Sequence, residues 1–117
     1  MASKVLICGD RNWHKYLSIA ARIDELPEEV VIITGGARGA DYMASVAALA
    51  AKRDLIVIHA KWDKHGRSAG PIRNREMLDL KPKLVIAFHA HLDASKGTKD
   101  CVTEAKKRGI KVEVHKK

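Results

Sequence analysis

Aromatic residues make up only 4% of this 117-residue sequence, so a hydrophobic core has to be built from aliphatic side chains. The only two cysteines, Cys8 and Cys101, are far apart and no CxxC spacing occurs, so neither a disulfide framework nor a zinc site is expected. No apolar run approaches the roughly 18 residues of a membrane-spanning helix. Residues 1–4 do not resemble a signal peptide, so we expect a cytoplasmic protein with no membrane partner.

Acidic residues are also in the minority. The chain has 22 lysines and arginines against 14 acidic residues, and a formal net charge of +8. This balance favours an anionic partner without saying which one, and the basic residues near the C-terminus are equally typical of a solvated face. The length suits one domain over residues 1–117, and nothing in the sequence calls for a cofactor.

Four continuous aliphatic runs and one alternating run predict five β-strands, over Lys4–Cys8, Val30–Thr34, Leu55–His59, Leu84–Phe88 and Ile110–Val114. The intervening periodicity, with Pro71 and Gly109 as boundary signals, predicts helices over 15–26, Gly39–Arg53, Pro71–Leu80 and Gly97–Arg108. The polar stretches Ala60–Gly70 and His89–Lys96 are predicted as loops. This alternation is typical of an α/β fold, a single Rossmann-like three-layer domain whose five-stranded, mainly parallel sheet has helices on both faces.

The second predicted helix is rich in alanine and has almost no polar face. Such a helix is expected to be buried nearly all round. Either the rest of the chain covers it or a second subunit does, and a homodimer through this helix is our hypothesis.

Ligands of an open parallel sheet bind beyond the carboxyl ends of its strands. Three glycine-bearing loops follow predicted strands here: Gly9-Asp10-Arg11, the segment 35–41, and Lys96-Gly97-Thr98. The middle loop opens a helix, whose free N–H groups favour an anion. We therefore predict phosphate binding by Gly35, Gly36, Arg38 and Gly39, with Asp41 on a ribose hydroxyl or capping the helix. The alternative is that these glycines only make tight turns.

The segment 62–75 is long, basic and glycine-bearing, which is typical of a functional loop. Its candidate ligand-binding residues are Trp62, His65, Arg67, Gly70, Arg73 and Asn74, and the alternative is a solvated loop with Trp62 packed on the core. A metal site of His89 and His91 with His59 or His65 is a remote alternative, since no ligand spacing supports it.

Together these motifs resemble the YspA-like branch of the SLOG superfamily of Rossmann-like domains. The matching stretches are Gly9-Asp10-Arg11, Gly35-Gly36-Ala37-Arg38-Gly39-Ala40-Asp41, Trp62-Asp63 and His65-Gly66, and Ala69-Gly70-Pro71-Ile72-Arg73-Asn74-Arg75. The resemblance spans nearly the whole chain and implies binding of nucleotides or nucleotide-derived ligands. Its relatives include Lonely-Guy-type phosphoribohydrolases, sensors of nucleotide signals, and DprA-like proteins that bind single-stranded DNA.

The hydrolase motif of that superfamily matches this sequence only in part. Arg75 is similar to the arginine before the fourth strand, Gly97-Thr98 matches its Gly-Thr, and Asp100 stands where the catalytic glutamate would be. The Pro-Gly-Gly portion of that motif is absent.

Three functions therefore stay open. The first is binding of a nucleotide-type ligand, with Asp10, Arg11, Arg73, Asn74, Arg75 and Thr98 also at the site. The second is hydrolysis of the N-glycosidic bond of a nucleoside monophosphate, with Arg75 and Asp100 as catalytic residues. The third is binding of single-stranded nucleic acid, with Trp62 and Trp13 stacking on bases.

Overall fold

A computed structural model describes residues 3–117 as alternating strands and helices. The strands are β1 (Lys4–Gly9), β2 (Val31–Thr34), β3 (Leu55–Val57), β4 (Leu84–Phe88) and β5 (Lys111–His115). The helices are α1 (Tyr16–Asp24), α2 (Ala40–Ala50), α3 (Trp62–His65), α4 (Ala69–Asp79) and α5 (Gly97–Lys107). Between residues 3 and 117, every helix falls short of the length and apolarity that crossing a bilayer requires.

The five strands form one sheet in the order β3-β2-β1-β4-β5, and every neighbouring pair is parallel. The α/β prediction is confirmed, and the sheet is wholly rather than mainly parallel. From β1 the chain builds outward through β2 to β3, and then returns to the other side of β1 with β4 and β5. The crevice beyond β1 and β4 is therefore the topological switch point, where ligands of such sheets bind.

Helices cover both faces of the sheet. In β1, Val5 and Ile7 pack in the core with α1 and α2, whereas Leu6 and Cys8 pack in the core with α4 and α5. Because both faces are covered, each central strand needs apolar side chains at every position, which is why these strands read as unbroken aliphatic runs. The three-layer prediction is confirmed.

The largest error in the predicted elements concerns Ala60–Gly70, which is mostly helical rather than a loop. Helix α3 is followed by one 3₁₀ turn, Gly66–Ser68, and α4 begins at Ala69, two residues before Pro71. Proline is tolerated there because the N–H groups of a first helical turn need no intrahelical partner. The polar composition of this segment hides the helical periodicity on which the prediction relied.

Within a single chain α2 is buried on one side only, so the alternative in which the rest of the chain covers it all round is wrong. Ala44, Ala47 and Ala48 are buried, but the opposite side exposes 65% of Tyr42 and 64% of Leu49, with Val46 at 38%. The buried alanines allow α2 to approach the sheet closely. Tyr42, Val46 and Leu49 face outward, and Met43 is half-buried against the core.

Candidate functional site

The loop after β1 is pressed against the end of β4. The Asp10 N–H donates to the Phe88 carbonyl oxygen at 2.9 Å, and the Asn12 N–H donates to Asp10 Oδ1, also at 2.9 Å. A Cβ atom added at Gly9 would lie 2.3 Å from the Phe88 oxygen, so this approach requires glycine. The two strands at the switch point thus end in direct backbone contact.

The glycine loop, which we define as residues 35–39 after β2, lies against the loop after β1. Gly39 has φ +78°, and a Cβ there would lie 2.3 Å from the Arg11 carbonyl carbon and oxygen. The Ala40 N–H donates to the Asp10 carbonyl oxygen at 3.0 Å. Two of the predicted glycine-bearing loops therefore meet through their backbones at the start of α2.

Three backbone donors of the glycine loop remain available. The N–H groups of Gly36, Arg38 and Gly39 donate no hydrogen bond to any residue between 3 and 117. Arg38 and Arg11 are exposed, and neither guanidinium has an ion-pair or hydrogen-bond partner within the same range. Together with the positive end of the α2 dipole, these groups form an arrangement suited to an anion.

Asp41 lies beneath the glycine loop and is 5% exposed. Its Oδ2 accepts a hydrogen bond from the Ala37 N–H at 3.3 Å. Burial raises the pKa of Asp41 to about 6, although Arg73 and the N–H groups of Ala37 and Gly35 act in the opposite direction. The carboxylate therefore holds the loop in place, rather than projecting as a free ribose ligand.

Replacing Asp41 by asparagine should change the stability of the protein in a way that depends on pH. The pKa of about 6 in the folded state lies above the ordinary aspartate value of 3.8, so the folded state binds the proton more tightly and the protein loses stability as pH rises through this window. The free energy of unfolding of Asp41→Asn, measured relative to that of the wild type, should rise by on the order of 2 kcal/mol between pH 4 and pH 7. Urea unfolding at several pH values measures this, and a pH-independent difference would contradict it.

Arg73 and Asn74 connect the glycine loop to the loop after β4. Arg73 Nη1 donates to the Gly35 carbonyl oxygen at 2.7 Å, and Arg73 Nε donates to Asn74 Oδ1 at 3.0 Å. Asn74 Nδ2 in turn donates to the Gly97 carbonyl oxygen at 3.2 Å and to Asp100 Oδ2 at 3.0 Å. These contacts make both residues supports of the site, whereas the sequence analysis predicted them as ligand-binding residues.

Helix α5 begins with a capping residue that the sequence analysis missed. Ser95 Oγ accepts a hydrogen bond from the Thr98 N–H at 3.1 Å, and Thr98 itself is buried. Serine ahead of a helix is the signal that would have identified it.

Arg75 lies farther out than its neighbours on α4. Its side chain is 45% exposed, with Nη1 3.7 Å from Asp100 Oδ2 and Nη2 3.4 Å from Glu104 Oε1. Such exposed pairs contribute little to stability, because water screens them. Asp100 is thus held by a buried amide on one side and an exposed guanidinium on the other.

The residues predicted from segment 62–70 lie on α3, on the 3₁₀ turn that follows it and on the first turn of α4. Trp62 is 58% exposed, and a Cβ at Gly70 would contact its ring at 3.5 Å. Between residues 3 and 117, no hydrogen bond or ion pair joins Trp62, His65 or Arg67 to the glycine loop. The suggestion that Trp13 stacks on bases is wrong, because Trp13 is 7% exposed and packs edge-on against Phe88.

Two further histidines lie near this edge of the sheet, at positions that follow strands. A Cβ at Gly36 would lie 2.4 Å from His59 Nδ1, and His89 Nε2 lies 3.9 Å from Asp10 Oδ2. Both histidines follow strands in the sequence, His59 after β3 and His89 after β4, and this position could have identified them as residues at this edge of the sheet. The sequence analysis considered them only as metal ligands. Within 3–117, no three histidine, cysteine or acidic side chains converge as a metal site would require.

The two cysteines are free and buried next to each other, despite their separation in the sequence. A hydrogen bond with Cys101 and burial raise the pKa of the Cys8 thiol well above its usual value. A neutral buried thiol is a packing residue rather than a nucleophile.

Two clefts of the protein are lined by residues outside the glycine loop. One cleft of about 550 Å³ is lined by residues 90–94, Val114 and Lys116, and one of about 390 Å³ lies at the other end of the sheet beside Pro82 and Ile110.

Three comparisons with known proteins agree with this architecture. A model of the YAcAr (YspA, cpYpsA-related SLOG) family matches residues 3–65. The gene 61 protein of Mycobacterium phage D29 is 37% identical over 118 residues, an alignment that covers 93% of each chain. The X-ray structure of DNA processing protein A (DprA) from Streptococcus pneumoniae superposes with a TM-score of 0.80 at 23% identity.

The superposition on DprA covers 97% of this chain but only 50% of that one, so this chain spans half of DprA and the likeness concerns the fold alone. The family match covers more than half of the chain, from β1 through α3. It includes the loop after β1, the glycine loop and Trp62, which are among the stretches that carry the resemblance to the YspA-like branch, whereas the stretch Ala69–Arg75 lies beyond it. The chain therefore belongs to the YspA, cpYpsA-related SLOG family.

Proposed function

We propose that this chain binds a phosphate-bearing nucleotide or nucleotide-derived ligand, with the phosphate on the glycine loop. The observation that carries the proposal is the set of three N–H groups, of Gly36, Arg38 and Gly39, that have no partner between residues 3 and 117. Donors of this kind at a helix N-terminus are suited to phosphate oxygens, and an arginine adds charge-assisted hydrogen bonds. Family membership supports the same class of ligand.

The other residues at this edge have distinct roles in the proposal. Asp10 and His89 lie at the switch point, where the rest of the nucleotide would extend from the phosphate. Arg11 meets the phosphate from the β1 side. Arg73 and Asn74 position the glycine loop and α5 without contacting the ligand.

A thermal-shift screen tests the proposal. The panel contains the four nucleoside monophosphates, NAD, ADP-ribose, cyclic nucleotides, a short oligonucleotide and inorganic phosphate. A ligand that binds only the folded state at about 100 times its Kd stabilises that state by roughly 2.7 kcal/mol, which raises Tm by several degrees. We expect such a shift with at least one nucleotide.

Arg38→Ala should reduce this shift, because a hydrogen bond to a charged group contributes about 1.5–3 kcal/mol and its loss weakens binding roughly 10- to 100-fold. Lys106→Ala is the matched control, since it also removes one exposed positive charge but lies at the far end of α5. An equal loss of the shift in both variants would indicate general electrostatics and contradict a phosphate site on the glycine loop.

Hydrolysis of the N-glycosidic bond is a second candidate function, favoured by one observation. Asp100 lies at the same edge of the sheet, and its Oδ2 accepts a hydrogen bond from Asn74, which also holds Gly97. A fixed carboxylate is suited to stabilise an oxocarbenium-like centre, with Arg75 as a phosphate anchor.

If the protein is a hydrolase, Asp100→Asn should abolish release of the free base while retaining the thermal shift with the nucleotide. Release of the base is followed by chromatography. Glu104→Gln is the control, since Glu104 contacts Arg75 but lies one turn farther along α5. Normal turnover in Asp100→Asn would remove Asp100 from the catalytic role.

Single-stranded nucleic acid is the alternative ligand in the same screen. Trp62, which is 58% exposed, offers one ring for stacking, and the charge of +8 favours a polyanion. Affinity for the oligonucleotide should then fall steeply as salt rises and should weaken in Trp62→Ala. A binding constant that does not change with salt would exclude this candidate.

A further inference from the structure

Asp10 and His89 stand side by side where the two central strands of the sheet end. Asp10 follows β1 and His89 follows β4, and these strands pair in parallel up to Gly9 and Phe88. The side chain of Asp10 is 26% exposed and that of His89 is 12% exposed, so both are mostly buried but still open to the crevice at the switch point. Binding of a phosphate to the glycine loop uses neither side chain.

Asp10 has one polar atom left without a hydrogen bond. Its N–H donates to the Phe88 carbonyl oxygen, and its own carbonyl oxygen accepts from the N–H groups of Trp13 and Ala40, each at 3.0 Å. Oδ1 accepts the Asn12 N–H at 2.9 Å. Oδ2 accepts no hydrogen bond from any residue between 3 and 117. Because the other polar atoms hold Asp10 in place, Oδ2 is an acceptor in a fixed position.

His89 is held in a similar way, and its remaining atom is a donor. The His89 N–H donates to the His115 carbonyl oxygen at 2.9 Å, and Nδ1 accepts the His91 N–H at 3.0 Å. An imidazole nitrogen that accepts a hydrogen bond carries no proton, so the proton of the neutral ring is on Nε2. Within the described chain, this Nε2–H has no hydrogen-bond acceptor.

The two remaining atoms lie close together without bonding to each other. His89 Nε2 and Asp10 Oδ2 are 3.9 Å apart, which is longer than a hydrogen bond but shorter than two of them. One oxygen atom can therefore lie about 2.8 Å from each. To satisfy both atoms, it must accept from Nε2 and donate to Oδ2. A hydroxyl group does both at once.

A phosphate group does not match this pair, because its negative charge would be repelled by the Asp10 carboxylate. The glycine loop offers only donors, so the two parts of this edge suit different parts of a nucleotide. They are adjacent, since the Asp10 carbonyl oxygen accepts the N–H of Ala40, the residue directly after the glycine loop. The part of a nucleotide that is joined to the phosphate and carries hydroxyl groups is the sugar.

We propose that Asp10 and His89 bind a sugar hydroxyl of the ligand, with Oδ2 accepting its proton and Nε2 donating to its oxygen, so that the protein selects ribonucleotides over deoxy counterparts. This inference rests on the proposed function, because it takes the glycine loop as the place of the phosphate. The sequence analysis assigned the ribose to Asp41, whose carboxylate instead holds the glycine loop.

Isothermal titration calorimetry with the four nucleoside 5′-monophosphates and their 2′-deoxy and 3′-deoxy counterparts tests this inference. At least one deoxy series should bind roughly 10- to 100-fold more weakly than the ribonucleotides, because a donor and a charged acceptor then lose their shared partner. The series that weakens identifies the hydroxyl that is bound. Equal affinities in all three series would overturn the inference.

Asp10→Asn and His89→Ala should each make the ribonucleotide and deoxynucleotide affinities equal. Asparagine at position 10 retains an oxygen for the Asn12 N–H but presents an amide N–H₂ in place of Oδ2. His91→Ala is the matched control, because it removes an exposed histidine of the same loop and retains the backbone N–H that His89 accepts. The control should keep the preference for ribonucleotides. A His89→Ala variant that keeps the preference would contradict the role of Nε2.

The ratio of the two affinities distinguishes this inference from the proposed function. Arg38→Ala should weaken binding of ribonucleotides and deoxynucleotides by the same factor, because its side chain is assigned to the phosphate. Circular dichroism confirms that each variant folds. If no nucleotide binds to the wild type, the proposed function and this inference both fail. If nucleotides bind without regard to their sugar, only the contact of Asp10 and His89 with the hydroxyl is wrong.

Discussion

Replacing Gly39 by alanine should lower the free energy of unfolding by about 2–5 kcal/mol, through left-handed backbone strain and overpacking. Gly39 has φ +78°, and its new Cβ would lie 2.3 Å from the Arg11 carbonyl carbon and oxygen. Backbone atoms cannot rotate away as a flexible side chain would. The loop after β1 and the glycine loop would therefore have to separate, and we expect nucleotide binding to fall along with stability.

Two other glycines distinguish the cost of backbone strain from the cost of a steric collision with the new Cβ. Gly109 has φ +75° but no atom within 4 Å of an added Cβ, and Gly97 also has open space without a left-handed φ. Gly109→Ala should therefore cost about 1–2 kcal/mol from the backbone alone, and Gly97→Ala should be neutral or slightly stabilising. Urea unfolding followed by circular dichroism gives all three values. An equal loss of stability in Gly39→Ala and Gly109→Ala would mean that the loop after β1 and the glycine loop are not in contact.

Arg73→Ala should cost more stability at high pH than at low pH. The substitution removes a hydrogen bond of 2.7 Å to the Gly35 carbonyl oxygen and the positive charge that opposes the raised pKa of Asp41. At pH 5, below the pKa of about 6, Asp41 is largely protonated, so the cost is about 1 kcal/mol from the hydrogen bond. At pH 8 the buried carboxylate loses its compensating charge, and we expect about 3 kcal/mol.

Asp41→Asn in the Arg73→Ala background should remove this pH dependence, because no buried carboxylate remains to be compensated. Arg75→Ala is the control on the same helix. It removes an exposed guanidinium with surface ion pairs and should cost less than about 1 kcal/mol at both pH values. An Arg73→Ala cost that is the same at pH 5 and pH 8 would show that Arg73 and Asp41 do not interact.

The central strands could be predicted closely from the sequence. Leu84–Phe88 was predicted with the bounds of β4, and Lys4–Cys8 is only one residue short of β1. Both strands are covered on both faces, so each position is apolar and the run ends where burial ends. The predicted bounds of the edge strands are less accurate. Strand β3 ends at Val57 rather than His59, because it lies at the edge of the sheet and is only half-buried.

The errors in predicting the helices concern α3 and α2, in which the helix does not have one apolar face toward the core and one polar face toward solvent. Helix α3 contains no buried residue, so it shows no apolar periodicity from which it could be predicted. The outward face of α2 is apolar, and apolar residues on a helix normally indicate burial. Composition does not distinguish a buried helix from one whose apolar side faces outward.

The positions of the glycine loops could be predicted, but their connections could not. Glycines after strands indicate the edge of the sheet at which they lie, which placed Gly9, Gly39 and Gly97 correctly at the carboxyl ends of their strands. The hydrogen bonds from Arg73 to Gly35 and from Asn74 to Asp100 join residues 38 and 26 positions apart. Such contacts depend on how α4 crosses the sheet, which local patterns do not specify.

An amide NMR titration with the nucleotide that gives the largest thermal shift tests most directly whether the glycine loop holds the phosphate. The N–H resonances of Gly36, Arg38 and Gly39 should move most and saturate together, because these groups would form new hydrogen bonds to phosphate oxygens. Resonances of Lys106 and Lys107 in the last turn of α5 serve as the internal reference. Changes confined to residues 62–67, with the glycine loop unmoved, would contradict a phosphate site on the glycine loop.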